Sequence, residues 1–156
     1  MASANKVIGG KKLDLALQAI EKKITRGGVL RMGFLEKSTY PAGKKNAAPL
    51  HVAQVAFWNE FGTVRSPARP SFRTTIRRKS KEWGERVGKA VIATNYDGRK
   101  ALALVGQSMR DDLENEIAQW SSPPNAPSTI ARKGFDKPLV DSGTMQRAPD
   151  YEVVDK

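Results

Sequence analysis

Helical spacing of apolar residues is clear near the start of the chain. There the pattern predicts an amphipathic helix from about Lys11 to Ile24, with one apolar stripe and a lysine-rich solvated face. The apolar stripe consists of Leu13, Leu17, Ile20 and Ile24. Gly27 and Gly28 would end the helix. We expect residues 1–10, which are small, polar and glycine-ended, to be a flexible N-terminus before a single domain of residues 11–156.

Two short segments have the composition and alternation of strands. Within Val29–Leu35, alternate residues place Leu30, Met32 and Phe34 together on one face, which we interpret as the core side. A final strand is predicted near the C-terminus, and we expect it to pair with the first one. Its apolar residues are Tyr151, Val153 and Val154.

Two longer helical patterns fill the middle of the chain. The first predicts a helix from Ser71 to about Ala93, and the second predicts one from about Arg99 to Trp120. The turn chemistry of residues 95–98 between them, NYDG, is compatible with either a bend or a true stop. The second stripe consists of Leu102, Val105, Met109, Leu113, Ile117 and Trp120.

Two segments without apolar periodicity are predicted to be loops. Residues 36–49 are expected to form an exposed loop or mobile hairpin tip, and residues 121–127, SSPPNAP, an extended loop. Both are candidates for segments that become ordered only on assembly. Further along the chain, Asp141 or Ser142 can cap a short turn. The patterns together predict an α+β fold in which a small antiparallel sheet packs against about three helices, one of them long or bent.

Residues 52–73, VAQVAFWNEFGTVRSPARPSFR, combine several structural signals in a short stretch. An apolar helix is followed by Gly62, which suits the left-handed position past a helix end. Pro67 and Pro70 then fix an extended crossing to the next helix. Because a buried carboxylate needs a partner, we predict that Glu60 pairs with Arg69 and braces the turn. The complete fold-bracing motif is Asn59, Glu60, Phe61, Gly62, Pro67, Arg69 and Pro70.

This stretch, with NEFGT followed by PARP, resembles the signature of the neck or tail-completion proteins of tailed phages, which are similar in role to the lambda minor tail protein Z. Val29–Phe34 looks like the early strand of that family, and residues 129–138 look like its loop before the last elements. Residues 138–145, PLVDSGTM, look like its C-terminal element, with Ser142 where threonine is usual and Met145 where leucine is usual. The resemblance touches the whole chain and carries no catalytic residues.

The resemblance implies a structural role. The protein would form a ring, expected to be a hexamer, at the head-proximal end of the tail. It would contact itself, the tail terminator or tail tube protein, and the head connector proteins, with transient contact to genomic DNA in a passageway. Its location would be the virion, after assembly in the host cytoplasm. Trp58, Phe61 and Phe72 are either core residues or interface anchors, and both interpretations stay open at this point.

Charge adds an alternative from another class. The formal net charge is +11, which attracts an acidic partner, either nucleic acid or an acidic protein surface. A basic row runs from residue 65 to residue 81 without an acidic residue, and it could contact phosphates or the acidic surface of a neighbouring subunit. The candidate contacts are Arg65, Arg73, Arg77, Arg78, Lys79 and Lys81, with Trp58 and Phe72 beside them. A nucleic-acid-binding protein is therefore the second hypothesis.

Enzyme chemistry finds little support in the sequence. There is no cysteine, and the single histidine, His51, stands at the start of an apolar helix. The carboxylates of Asp111, Asp112, Glu114 and Glu116 would spread around one helix instead of converging on a metal. We therefore expect no catalytic site, no cofactor and no metal. Without an apolar run of roughly 20 residues or a signal peptide, the chain is expected to stay in the cytosol where it is made.

Overall fold

The computed structural model describes residues 9–41 and 48–155. These residues form the helices α1 (Gly10–Thr25), α2 (Val52–Phe61), α3 (Ser71–Ala93), α4 (Gly98–Gln119) and α5 (Pro127–Lys133), and the strands β1 (Val29–Phe34) and β2 (Pro149–Val154). The predicted α+β class is confirmed. Most of the predicted flexible N-terminus, residues 1–8, and the tip of the predicted loop, residues 42–47, lie outside the described residues.

The two strands pair as predicted. β1 and β2 are antiparallel, with Leu30 opposite Val153 and Met32 opposite Tyr151. Because opposite residues point to the same side of a sheet, this face is apolar, and it packs on α4. A Cβ built on Gly106 of α4 would lie 2.7 Å from Cγ of Tyr151 and 2.8 Å from Cδ1 of Leu30. The absence of a side chain at Gly106 therefore lets the sheet approach α4 closely.

The helices α3 and α4 are separate and form a hairpin. The turn between them contains two non-glycine residues with positive φ, Asn95 at 51° and Tyr96 at 64°. Asp97 then caps α4 by accepting a hydrogen bond from the backbone N–H of Lys100 at 3.1 Å. The turn at residues 95–98 therefore ends α3 and separates it from α4, which was one of the two predicted outcomes.

The core lies between the helical hairpin, α2 and the sheet. One buried cluster joins α2 and α4 to the C-terminal turns and consists of Val52, Leu113, Ile117, Leu139 and Met145. A second cluster consists of Ala90, Ala101 and Val105. The core side of β1 was predicted correctly, since Met32 and Phe34 pack on the first cluster and Leu30 packs on the second.

One expectation needs correction. Residues 129–138, where the resemblance implied a loop, are partly helical, because α5 begins at Pro127 and ends before Gly134, whose φ is 79°. The first helix forms where predicted, and its apolar stripe is largely exposed, since Leu13 is 61% exposed and Leu17 is 54% exposed. No residue of α1 is buried. The helix is joined to α4 mainly at its end, where a Cβ on Gly98 would lie 2.6 Å from the carbonyl oxygen of Ile24.

Substitution of Gly106 tests the packing of the sheet on α4. Gly106→Ala should lower the free energy of unfolding by about 1–3 kcal/mol, because the new methyl group overlaps the ring of Tyr151. The matched control is Gly88→Ala in α3, where a Cβ meets no atom within 4 Å. It should raise stability by about 0.5–1 kcal/mol through helix propensity. Urea unfolding measures both values, and equal effects of the two substitutions would contradict the packing.

Candidate assembly surface

The motif between α2 and α3 folds back on itself. The backbone N–H of Gly62 donates to the carbonyl oxygen of Trp58 at 2.8 Å, and its φ is 78°. A Cβ on Gly62 would lie 2.9 Å from the backbone nitrogen of Ala68, so glycine fits this position. The N–H of Arg69 donates to the carbonyl oxygen of Asn59 at 2.6 Å. The prolines therefore bring the chain back to the end of α2, as the bracing hypothesis requires.

The carboxylate of Glu60 connects the end of α2 to the start of α3. Its Oε2 accepts a hydrogen bond from the backbone N–H of Phe72 at 2.9 Å, and its Oε1 accepts one from the N–H of Arg73 at 3.0 Å. The Arg73 side chain donates from Nε to the same Oε1 at 2.9 Å and from Nη2 to the carbonyl oxygen of Glu60 at 2.9 Å. Glu60 thus neutralises the positive end of α3 and satisfies two of its free N–H groups.

The predicted pair between Glu60 and Arg69 is wrong. Arg69 is buried, and it donates from Nε to the carbonyl oxygen of Pro123 at 3.1 Å and from Nη2 to that of Pro124 at 3.0 Å. Burial lowers the pKa of the Arg69 guanidinium from its usual value, and the charge of Asp136 opposes that shift. Arg69 still braces the molecule, but it ties the turn after α2 to the 121–127 loop. These two hydrogen bonds therefore fix the 121–127 loop in the single chain, without a partner.

The outward side of α2 and the turn after it carry exposed apolar side chains, which we call the outer patch and define as Phe57, Trp58, Phe61 and Val64. Phe57 is 59% exposed and Phe61 is 57% exposed, and their ring centroids lie 4.6 Å apart. The guanidinium of Arg73 lies 4.8 Å from the centre of the Phe61 ring. Of the aromatic residues left open by the sequence, Phe72 packs against the core, whereas Trp58 and Phe61 point outward.

A groove lies beside the outer patch, between α2, the start of α3 and the end of β1. Its volume is about 320 Å³, and its walls are largely apolar. The lining includes Phe34, Ala56, Phe57, Phe61, Phe72 and Met145. Glu60 and Arg73 also line it, so the ion pair that starts α3 forms part of its wall.

The basic row divides into two groups. Three of its members are paired within the chain: Arg73 with Glu60, Arg78 with Glu116 at 3.1 Å, and Lys79 with Glu82 at 2.8 Å. Hydrogen bonds from Lys79 and then from Arg86 hold the pKa of Glu82 below its usual value. Within the described part of the chain, the side chains of Arg65, Arg77 and Lys81 have no hydrogen-bond or ion-pair partner. These three cations are the ones that remain available to an acidic partner.

Of the four carboxylates of α4, Asp112 and Glu116 contact α3. Asp112 accepts hydrogen bonds from Nε1 of Trp83 and Nη1 of Arg86, both at 2.8 Å, so it joins α4 to α3. Asp111 contacts its neighbour Arg110 at 2.9 Å.

Among residues 9–41 and 48–155, no group of three or more His, Asp or Glu side chains is arranged to hold a metal ion. His51 is exposed, and its Nδ1 lies 3.1 Å from the carbonyl oxygen of Glu36.

The sequence identified the motif but missed the importance of the outward surfaces. Phe57, Val64 and the stripe of α1 were not predicted as exposed apolar groups. One signal was present in α2, whose apolar residues are spread around the helix and outnumber Gln54, Asn59 and Glu60. A helix of that kind is normally covered all round, by its own domain or by a partner.

Comparisons with protein families, with curated proteins and with solved structures give no match for this chain. Within the described residues, no helix combines the length and hydropathy needed to cross a membrane.

Replacement of Glu60 tests the connection between α2 and α3. Glu60→Gln should lower the free energy of unfolding by about 1–3 kcal/mol, because an amide cannot accept all three N–H donors and loses its charge at the helix start. Glu85→Gln, at an exposed position of α3, is the control and should change stability by less than about 0.5 kcal/mol. Urea unfolding gives both values. An unaltered midpoint for Glu60→Gln would exclude the proposed connection.

A double-mutant cycle distinguishes the observed partners from the predicted one. Arg69→Ala should destabilise the protein by about 2 kcal/mol, because two carbonyl oxygens lose a charged donor, and residues 121–127 should exchange amide hydrogens faster. The coupling energy between Glu60 and Arg73 should exceed that between Glu60 and Arg69, which share no hydrogen bond. Chemical denaturation of the single and double variants measures both. A coupling energy that is larger for Glu60 with Arg69 than for Glu60 with Arg73 would support the predicted pair instead.

Proposed function

We propose that this chain is a structural virion protein of a tailed phage, a neck or tail-completion protein that forms a ring at the head-proximal end of the tail. One side of the ring would contact the tail terminator or tail tube protein, and the other would contact the head connector proteins. The resemblance of the motif around Glu60 to that family suggests the role. The proposal assigns no catalytic residue, metal or cofactor to the chain.

The observation that supports the proposal best is the outer patch. A Phe or Trp side chain buries about 150–250 Å² in a complete contact, so the half-exposed rings of Phe57, Trp58 and Phe61 present on the order of 300 Å² of apolar surface. Val64, in the turn after α2, is fully exposed. Contiguous apolar patches of that size on a monomer are commonly interaction sites. An assembly protein has such surfaces because they are covered in the finished particle.

The geometry of the motif supports the same role. Glu60 and Arg73 tie α2 rigidly to α3, and Val52 anchors the other end of α2 in the core. The outer patch is therefore presented on a fixed helix. A preformed surface loses little conformational freedom on docking, which favours assembly.

The charge of the chain fits neighbours of opposite sign. With a formal net charge of +11, the chain would be attracted to acidic surfaces of other neck proteins and to DNA that passes through the ring. Arg65, Arg77 and Lys81 are the free cations of the basic row and are the natural contacts for either. Arg77 and Lys81 are four residues apart on α3 and share one side of the helix.

A nucleic-acid-binding protein is the alternative that these three cations favour. Under that hypothesis, the affinity for duplex DNA would fall steeply with salt but would persist at moderate salt. Arg77→Ala combined with Lys81→Ala would then abolish binding. In the structural proposal, the same double variant would keep its mass in solution, because these side chains bind neither the core nor the outer patch.

Light scattering of the purified chain, alone and with a short DNA duplex, separates the two functions. The structural proposal predicts a ring-sized mass that is unchanged by DNA at moderate salt, in both the wild type and the Arg77→Ala, Lys81→Ala variant. A monomer or dimer that retains duplex DNA at moderate salt, and loses it in the double variant, would overturn the proposal in favour of nucleic-acid binding.

A further inference from the structure

A polar cleft lies between the first two turns of α3 and the end of α4. Its volume is about 310 Å³. Each helix contributes three residues at the spacing i, i+3 and i+4, which places them on one side of the helix. These lining residues are Thr74, Arg77 and Arg78 from α3, and Glu116, Gln119 and Trp120 from the end of α4.

Contacts on both sides of the cleft fix its shape. Arg78 joins the two helices by donating from Nη1 to both carboxylate oxygens of Glu116, at 3.1 and 3.2 Å. Ser121 and Ser122, which complete the lining, precede the two prolines whose carbonyl oxygens accept hydrogen bonds from Arg69. The backbone that carries the lining is therefore positioned in the single chain, so a ligand would lose little affinity to ordering of the site.

The cleft contains more hydrogen-bond donors than its own acceptors can use. Among the lining residues that the structure describes, Glu116 carries the one carboxylate, and Arg78 already occupies both of its oxygens. Within residues 9–41 and 48–155, the guanidinium of Arg77 has no hydrogen-bond or ion-pair partner. The indole Nε1 of Trp120 is buried and also has no partner in that part of the chain.

These two unpartnered groups restrict the chemistry of a ligand. Guanidinium and indole nitrogens donate hydrogen bonds and cannot accept them, so the missing partner must be an acceptor. A buried donor without an acceptor is costly, and folded proteins rarely contain one. Since Arg78 neutralises Glu116, the guanidinium of Arg77 leaves one positive charge unbalanced in the cleft. That charge favours an anion over a neutral acceptor such as water.

We infer that the cleft is a binding site for a single oxyanion, a carboxylate or a phosphate group, held by Arg77 and by the indole N–H of Trp120. The planar fork of a guanidinium matches two oxygens of either group. The hydroxyl groups of Thr74, Ser121 and Ser122 supply further donors around it. The inference goes beyond the proposed function, because it concerns one group that binds one copy of the chain, whatever that chain assembles with.

The surroundings of the cleft favour one anionic group over a DNA strand. Asp111, Asp112, Glu114 and Glu116 lie in the C-terminal half of α4, and the carbonyl groups at the end of that helix form the negative end of its dipole. A DNA backbone brings further phosphates within reach of these negative groups, whereas one oxyanion needs only the cleft. The same groups limit the affinity for the oxyanion, which we expect to be in the millimolar range.

The indole N–H resonances of the ¹⁵N-labelled protein provide the test, because the chain has three tryptophans and only Trp120 lines the cleft. Inorganic phosphate, acetate and a short DNA duplex are added separately, at an ionic strength held constant with sodium chloride. Since Nε1 is buried, the indole must rotate slightly toward the ligand, which gives binding a signal at Trp120. Phosphate or acetate should move that signal along a saturating curve and leave those of Trp58 and Trp83 in place.

Three variants change the affinity in different directions. Arg77→Gln should weaken anion binding at least about tenfold, because a charge-assisted contact is lost. Lys81→Gln removes the same charge one turn further along α3, outside the cleft, so this matched control should keep the wild-type affinity. Glu116→Gln removes the competing negative charge and frees Arg78, so it should bind the anion several-fold more tightly.

Three results would overturn the inference. The first is a Trp120 signal that neither small anion moves. The second is an equal response in Arg77→Gln and the wild type, which would place the anion elsewhere. The third is a response to the duplex alone at moderate salt, which would assign the cleft to nucleic acid. The mass of the chain in solution tests the proposed ring separately, so a cleft that binds no anion would leave that proposal standing.

Discussion

The carboxylate of Glu60 is the group on which the arrangement of α2 and α3 depends. It is buried, it accepts two backbone N–H bonds at the first turn of α3, and it pairs with the side chain of Arg73. A buried carboxylate is tolerated only where its hydrogen-bonding capacity is met, and the open end of a helix supplies both donors and a favourable dipole. Since α2 is short and Glu60 is its penultimate residue, this bond network also fixes the direction in which Phe57 and Phe61 point.

The sheet and the hairpin of α3 and α4 stabilise that arrangement. A sheet of two strands is not stable by itself, so β1 and β2 depend on α4, which approaches them closely at Gly106. The hairpin of α3 and α4 is held by the core and by the contacts of Asp112 with Trp83 and Arg86. Against this rigid body, α1 stands apart, joined mainly near Gly98. The molecule therefore combines a fixed groove with a projecting apolar helix.

Much of the fold could be predicted from local signals. The start of α3 at Ser71 follows from Pro70 and the apolar period after it, and the pairing of β1 with β2 follows from their alternation. The short helix α5 was missed because its seven residues have no apolar period, and only Pro127 and Gly134 mark its ends.

The candidate site was harder to predict, because its features depend on directions in space. Sequence indicated that Glu60 needs a cationic partner, but Arg69 and Arg73 were both near it, and only the fold shows which side chain points toward it. In the same way, periodicity shows that one side of α1 is apolar but does not show what covers that side. The exposure of Leu13 and Leu17 could be recognised only once the position of α4 was known.

Hydrogen–deuterium exchange of the wild-type chain over a range of protein concentrations would test the central claim most directly. The claim is that the outward side of α2 is an assembly surface. The account predicts that the amides of Val52–Phe61 gain protection as the concentration rises, while those of α4 do not change. Protection of α2 that is independent of concentration would contradict it.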